Sequence, residues 1–318
     1  MIWAYMMRIS DHMWEDGSKD TTSVWYGKCP KYVDTDPNEV DVETWDETIK
    51  FLAEKKYNML VIDIGDGVQF ESHPEISAPD AWSKAFLKQK LDEARALGIE
   101  VIPKLNFSTG HDTWLKEYRR MISTSIYYKV CSDLIAEMCE LFDHPRFFHV
   151  GLDEETEAHQ VRHEMAIIRN AKLYWHDSFF FFKECEKNGA RPWVWSDYYW
   201  NHPDLFMQNM PKEVLQSNWY YGIFKTFNPS EKAYTYINTY DELDRAGYEQ
   251  VPTGASYCSP QNAIQTVAHG KEKLTPELLL GFMSCPWIPT KKEYDYLFKW
   301  DIDRLYQGRV KYYPETLN

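Results

Sequence analysis

Short apolar runs alternate with longer stretches of helical periodicity from one end of the chain to the other. The runs that predict strands are 3–9, 59–64, 100–105, 147–151, 192–196, 214–218, 250–255 and 281–285. Helical stretches fall at 42–56, 81–97, 124–142, 157–188, 240–246, 260–269 and 292–306. Within 124–142, Ile126, Val130, Leu134, Met138 and Leu141 recur every three or four residues and so line one helix face. Strands that alternate with helices build parallel βαβ units. Eight of them predict an α/β protein of the closed (β/α)8 TIM-barrel type, with active residues at the carboxyl ends of the strands. No linker, repeat or low-complexity tract interrupts the pattern, so residues 1–318 are expected to form one domain. The polar segment 10–38, which carries Trp14, Trp25 and Tyr26, is expected as the first strand-to-helix loop, over the active face.

Composition narrows the function classes. A chain of 318 residues, 44% hydrophobic and 16% aromatic, can fill one large core. A net charge of −14 argues against nucleic acid or an anionic membrane as partner. No apolar run approaches the ~20 residues of a membrane span. The N-terminal residues lack the charged-then-apolar layout of a signal peptide. This predicts a cytoplasmic location for the chain as it stands, or an extracytoplasmic one if a leader has been removed. Cys29, Cys131, Cys139, Cys185, Cys258 and Cys285 form no Cys-x-x-Cys pair and read as ordinary buried thiols. Neither zinc-site spacing nor a phosphate-cradling loop is found, so no metal and no organic cofactor is expected.

The chemistry concentrates in His149-Val150-Gly151-Leu152-Asp153-Glu154-Glu155. Phe147 to Val150 read as a buried strand, and adjacent carboxylates follow where it runs out. Acidic residues are costly to bury unless paired or used. Two carboxyls at an inner strand end suit glycosidic cleavage, one protonating the leaving oxygen and the other managing the cation-like sugar carbon. Helix capping offers a second reading of the same residues. With Asp153 as N-cap, however, the third residue on is Thr156, not the acid or amide of a capping box.

The strand ends resemble those of glycoside hydrolase family 20, the β-N-acetylhexosaminidases, whose fourth strand carries His-x-Gly-Gly-Asp-Glu. Here the text is His149-Val150-Gly151-Leu152-Asp153-Glu154. The third-strand text of the family is similar to Gly98-Ile99-Glu100-Val101-Ile102-Pro103 and the following Thr109-Gly110-His111. Its second-strand turn is similar to Asp63-Ile64-Gly65-Asp66-Gly67 and His73-Pro74-Glu75-Ile76. The resemblance implies a retaining, exo-acting enzyme whose nucleophile is the substrate's own acetamido oxygen. It makes Glu154 the general acid, Asp153 the anion that orients and polarises the acetamido group, and Tyr257 the hydrogen-bond donor to the attacking oxygen. On this reading Glu154 stays protonated near neutral pH, its pKa raised by partial burial and a neighbouring anion. His111 and His149 are implied as the hydrogen-bonded shell behind the acid. Trp195, Trp219 and Trp287 are implied as pocket walls, and Asp197 as the acidic residue after the fifth strand. Trp193 lies deeper and reads as core.

Departures fall on the groups that grip the sugar. Leu152 replaces the second motif glycine, and Lys104 and Asn106 replace a third-strand acidic pair. Asp11 stands where an Arg usually holds hydroxyls, with Arg8 three residues earlier. Ile288-Pro289 and Cys258-Ser259 stand where acids are common. The expected partner is a carbohydrate, an amino-sugar glycoside, with the sugar different or modified. A barrel glycosidase on sugars without an acetamido group, with Asp153 or Glu155 as direct nucleophile, stays open, as does a non-catalytic carbohydrate-binding barrel.

Overall fold

The computed structural model describes residues 1–14, 37–161 and 163–317. Trp25, Tyr26 and Cys29 lie outside them. Eight parallel strands follow in order: β1 (Ile2–Arg8), β2 (Met59–Asp63), β3 (Glu100–Lys104), β4 (Phe147–His149), β5 (Arg191–Trp195), β6 (Leu215–Ser217), β7 (Thr253–Gly254) and β8 (Gly281–Ser284). Each pairs with its sequence neighbour, and β8 returns to β1, so the spatial order runs β6-β5-β4-β3-β2-β1-β8-β7. Isolated bridges Gln216↔Gln250 and Trp219↔Thr253 join β6 to β7 and close the ring. The fold is the (β/α)8 barrel that the alternation predicts.

Alternation along each strand sorts the side chains into two cores. Ile2, Ala4 and Met6 of β1 face inward and pack with Met59, Val61, Ile102, Phe147, Trp193, Leu215 and Met283 in the barrel interior. Trp3, Tyr5 and Met7 face outward, against the helices. The next inward positions towards the mouth are charged or polar: Arg8, Asp63 and Lys104 are register partners in turn, and Lys104 pairs with His149. A layer of ionisable groups thus roofs the apolar interior.

The outer helices are α1 (Val42–Glu54), α2 (Lys84–Ala96), α3 (Ser125–Leu141), α4 (Ala171–Lys187), α5 (Tyr198–Asn201), α6 (Pro203–Asn209), α7 (Lys232–Arg245), α8 (Asn262–Lys273) and α9 (Asp295–Tyr312). Asp41, Ser83, Thr124 and Asn170 cap the first four, each side chain accepting from a backbone N–H three residues on. The Asn170 cap fixes where α4 starts, so the helix expected over 157–188 begins only at Ala171. The described residues between 155 and 170 form an irregular loop instead. Gln160 closes it by donating to the Ile167 carbonyl (2.9 Å) and accepting from the Ile167 N–H (2.7 Å). No described helix is long and apolar enough to cross a membrane. Cys131, Cys139, Cys185 and Cys285 are buried free thiols, as expected, whereas Cys258 is exposed.

Candidate active site

The turn after β4 builds the site by an uncommon backbone path. Gly151, Leu152 and Glu154 have φ of 73°, 72° and 54°. Leu152 and Glu154 take left-handed conformations that residues with a Cβ seldom adopt. Partners on neighbouring strands impose them. Asp197, after β5, accepts the Glu154 N–H (2.8 Å), and Asn106, after β3, accepts the Leu152 N–H (3.2 Å). Gly151 is required sterically as well, because a Cβ there would sit 1.9 Å from Asn106 Oδ1. Gly151→Ala is expected to cost about 1–3 kcal/mol of stability, as overpacking and strain do, and to displace Asn106. Denaturant unfolding checks the stability, and loss of turnover checks the displacement.

Asn106 matters because its amide also donates to Asp153 Oδ1 (2.8 Å). His111 Nε2 lies 3.3 Å from Asp153 Oδ2 and 3.3 Å from Glu154 Oε2. It is aligned with neither, so the contact is a charge bridge rather than a directed hydrogen bond. Burial alone would lower the His111 pKa, but the two carboxylates outweigh it and lift the imidazole to about 10. Asp153 responds in the opposite sense. Burial pushes it up, and His111, Lys104 and the Asn106 hydrogen bond bring it well below the usual carboxylate range.

Glu154 is the more accessible of the pair, its side chain 23% exposed against 6% for Asp153. Burial raises its pKa, but His111 and His159, whose Nε2 is 3.1 Å from Oε1, bring it below the ordinary value. The expected upward shift is therefore not seen without substrate: the positive partners beside Glu154 outweigh its burial and the neighbouring anion. Asp197 carries the raised pKa instead, about 7, driven by burial and then by Asp153 and Glu154.

His111, Asp153 and Glu154 each offer a ligand atom within 4.8 Å of the others. An imidazole that binds its proton up to about pH 10 must surrender it before it can ligate a cation. Among the described groups, protonated His111 supplies the positive charge between the two carboxylates.

Aromatic rings wall the β5–β8 side. Trp219 Nε1 faces Asp197 Oδ1 at 3.3 Å, and its ring stacks on Tyr221 at 5.2 Å. Tyr221 accepts a hydrogen bond from Trp287 Nε1 (2.8 Å), and its ring lies 5.0 Å from that of Tyr257. Trp195 packs beneath, 5.9 Å from Trp287 and 4.5 Å from His149. Trp193 is in the core, donating to Ser217 Oγ (2.8 Å). His149 accepts from the Gly151 N–H (3.1 Å) and is held neutral by burial and by Lys104. It thus sits under the turn, while His111 meets both carboxylates. Trp14 lies 5.8 Å from His111, which puts the start of the first loop at the mouth. Tyr221 and His159 escaped the sequence reading. Tyr221 had one signal, its place two residues after Trp219 at a strand end, whereas His159 sat in a stretch read as helix.

Glu155 turns away from the mouth. Its carboxylate binds Arg169 at 2.5 to 3.1 Å, and both side chains are buried. This engagement leaves Glu155 unavailable as a direct nucleophile.

No family model matches the sequence, and no curated protein matches it. Solved structures do. The chain superposes on 48% of a Flavobacterium johnsoniae chitobiase of glycoside hydrolase family 20, using 96% of its own length, at TM-score 0.64 and 16% identity. It superposes on 95% of Dispersin B, using 86% of its own length, at TM-score 0.61 and 14% identity. With the β-N-acetylhexosaminidase of Bacteroides fragilis the figures are 69% of that chain, 97% of this one, 0.62 and 13%. The chain therefore spans about half of the chitobiase and nearly all of Dispersin B. The likeness establishes the architecture: this chain has the barrel fold of the family 20 β-N-acetylhexosaminidases.

Proposed function

We propose that the protein is a retaining, exo-acting β-N-acetylhexosaminidase-like glycoside hydrolase that uses the substrate's acetamido group as nucleophile. One observation carries the reading: two adjacent carboxylates at the end of β4 share His111 but differ in burial and in their other partners. Asp153 is buried, charged and fixed by Asn106 and His111. It suits an anion that balances positive charge growing on the acetamido nitrogen. Glu154 is at the surface of the pocket, where it can reach a leaving-group oxygen. Side by side on one histidine, the pair faces a sugar from one direction. Direct displacement needs a nucleophile and an acid flanking the bond, about 5–5.5 Å apart. In substrate assistance the acetamido oxygen attacks the anomeric carbon as the bond to the leaving oxygen breaks, and Glu154 gives its proton to that oxygen. Water then opens the cyclic intermediate, returning a proton to Glu154.

Glu154 must be protonated for the first step. A sugar over the pocket strips its remaining water, adding to the burial that already pushes its pKa upward. His159 works against this. His159→Asn is expected to raise the Glu154 pKa and to move the alkaline limb of the kcat/KM profile to higher pH. A limb that stays in place or moves down would remove His159 from that role.

Aryl β-glycosides with and without the 2-acetamido group test the reading. Only the acetamido sugars are expected to turn over, and a thiazoline analogue of the cyclic intermediate should inhibit. Asp153→Asn should weaken that inhibition. Hydrolysis of plain glucosides, with thiazoline inert, would favour the direct nucleophile; no hydrolysis at all would leave a binding barrel.

A further inference from the structure

The strand ends around Asp153 and Glu154 also carry buried cations. Arg8 and Lys104 occupy inward positions on β1 and β3, separated by Asp63 on β2. With neighbouring strands ~4.8 Å apart, their backbones are within roughly 10 Å of each other. Lys104 is fully buried, donates to Asp63 (2.6 Å), and lies 5.3 Å from the centre of the Trp287 ring. Arg8 is 2% exposed, and its three guanidinium nitrogens make no hydrogen bond among the described residues. Its anionic neighbour is Asp11, 3.3 Å from Nη2, but Asp11 also faces Lys291 at 3.3 Å. Arg8, Lys104 and Lys291 thus face Asp11, Asp63 and Glu39, and of these three cations Arg8 alone makes no hydrogen bond to a carboxylate among the described residues. A buried guanidinium with five idle donors is costly, and its fork matches an oxyanion that accepts two hydrogen bonds at once.

Trp14 ties this group to the catalytic pair. Its ring is 5.6 Å from the Arg8 guanidinium carbon and 5.8 Å from His111, which bridges Asp153 and Glu154. A sugar with its anomeric carbon at Glu154 and its acetamido group at Asp153 directs its remaining substituents away from both.

Resting on the hydrolase reading above, we propose that Arg8, supported by Lys104, is a specificity residue for an anionic substituent, a sulfate ester or a carboxylate, on the terminal N-acetylhexosamine. Each oxyanion can turn two oxygens towards the guanidinium fork. The neutral amino sugar leaves Arg8 idle and is the poorer substrate.

The test compares the 4-nitrophenyl β-glycoside of N-acetylglucosamine with its 4-sulfate, its 6-sulfate and its C6 carboxylate, for the wild-type chain and Arg8→Met. One anionic substrate is expected to exceed the neutral one in kcat/KM by about ten- to a hundredfold, the scale of a charge-assisted hydrogen-bond pair. The arm that responds tells sulfate from carboxylate. In Arg8→Met the ratio should fall near one. Arg8→Lys, which keeps the charge and loses the fork, should retain part of the preference, and it serves if the methionine variant fails to fold. Equal or better hydrolysis of the neutral glycoside, or a preference that survives loss of Arg8, overturns the proposal and leaves the hydrolase reading standing. If no glycoside is hydrolysed, that reading fails by itself, and thermal melting decides this one. The free anionic sugars should then raise the Tm of the wild type and not of Arg8→Met. Failure to raise either overturns it.

Discussion

Glu154→Gln is expected to lower turnover of substrates with poor leaving groups by about 10²–10⁴-fold, the range of general acid catalysis. The loss should shrink towards nothing for dinitrophenyl glycosides, whose leaving group departs without a proton. The substitution keeps the side chain's size and its position after β4, where the Glu154 N–H is held by Asp197. A fall in rate therefore reports the proton rather than the scaffold. Steady-state kinetics across leaving groups of graded acidity measures it as a slope. Equal losses for good and poor leaving groups would take Glu154 out of the acid role.

Arg169→Met is expected to be the most destabilising single change at the site, about 3–5 kcal/mol, because it leaves buried anions uncompensated. Arg169 binds Glu155 through its side chain, donates to Asp177 Oδ2 (3.1 Å), and reaches the Phe107 carbonyl (3.1 Å). Its backbone N–H also donates to Glu155 (2.8 Å). Asp177 in turn receives the hydroxyls of Ser123 (2.6 Å) and Tyr128 (2.5 Å). One cation thus ties the loop after β3, the loop after β4 and helix α4. Urea unfolding of Arg169→Met against Arg169→Met/Glu155→Gln/Asp177→Asn checks the cause. Neutralising both acids should recover part of the loss. No recovery would mean that packing, not stranded charge, accounts for it.

The barrel was legible because its signal is local. Each strand is a short apolar run, and the observed strands fall within the runs that predict them or one residue outside. Helix limits were read less well where sequence periodicity and tertiary constraint disagree. The segment 157–170 has helix-compatible residues, yet contacts of Glu155, Arg169 and Gln160 hold its described residues in a loop. α7 starts at Lys232 rather than near 240, since its first two turns are half-exposed and carry little apolar period. The acidic pair could be read from adjacent residues, but its partners could not. Asn106 stood out only as a departure from a pattern, whereas in the fold it grips Asp153 and the Leu152 N–H together. His159 and Tyr221 reach the site through loop paths, and a loop path depends on contacts made far away in sequence.

The closure between β6 and β7 has a consequence for motion. β7 has two residues, and it meets β6 through isolated bridges rather than a continuous ladder. Trp219 follows β6 and Tyr257 follows β7, so the aromatic wall stands on both edges of this seam. Segments with short strand pairing open locally more readily than long ladders. The amides of 216–219 and 250–254 should therefore exchange with solvent deuterium sooner than those of β1 to β3, and a bound sugar that stacks on both rings should slow them. The barrel would then breathe along one staved joint, widening its aromatic side.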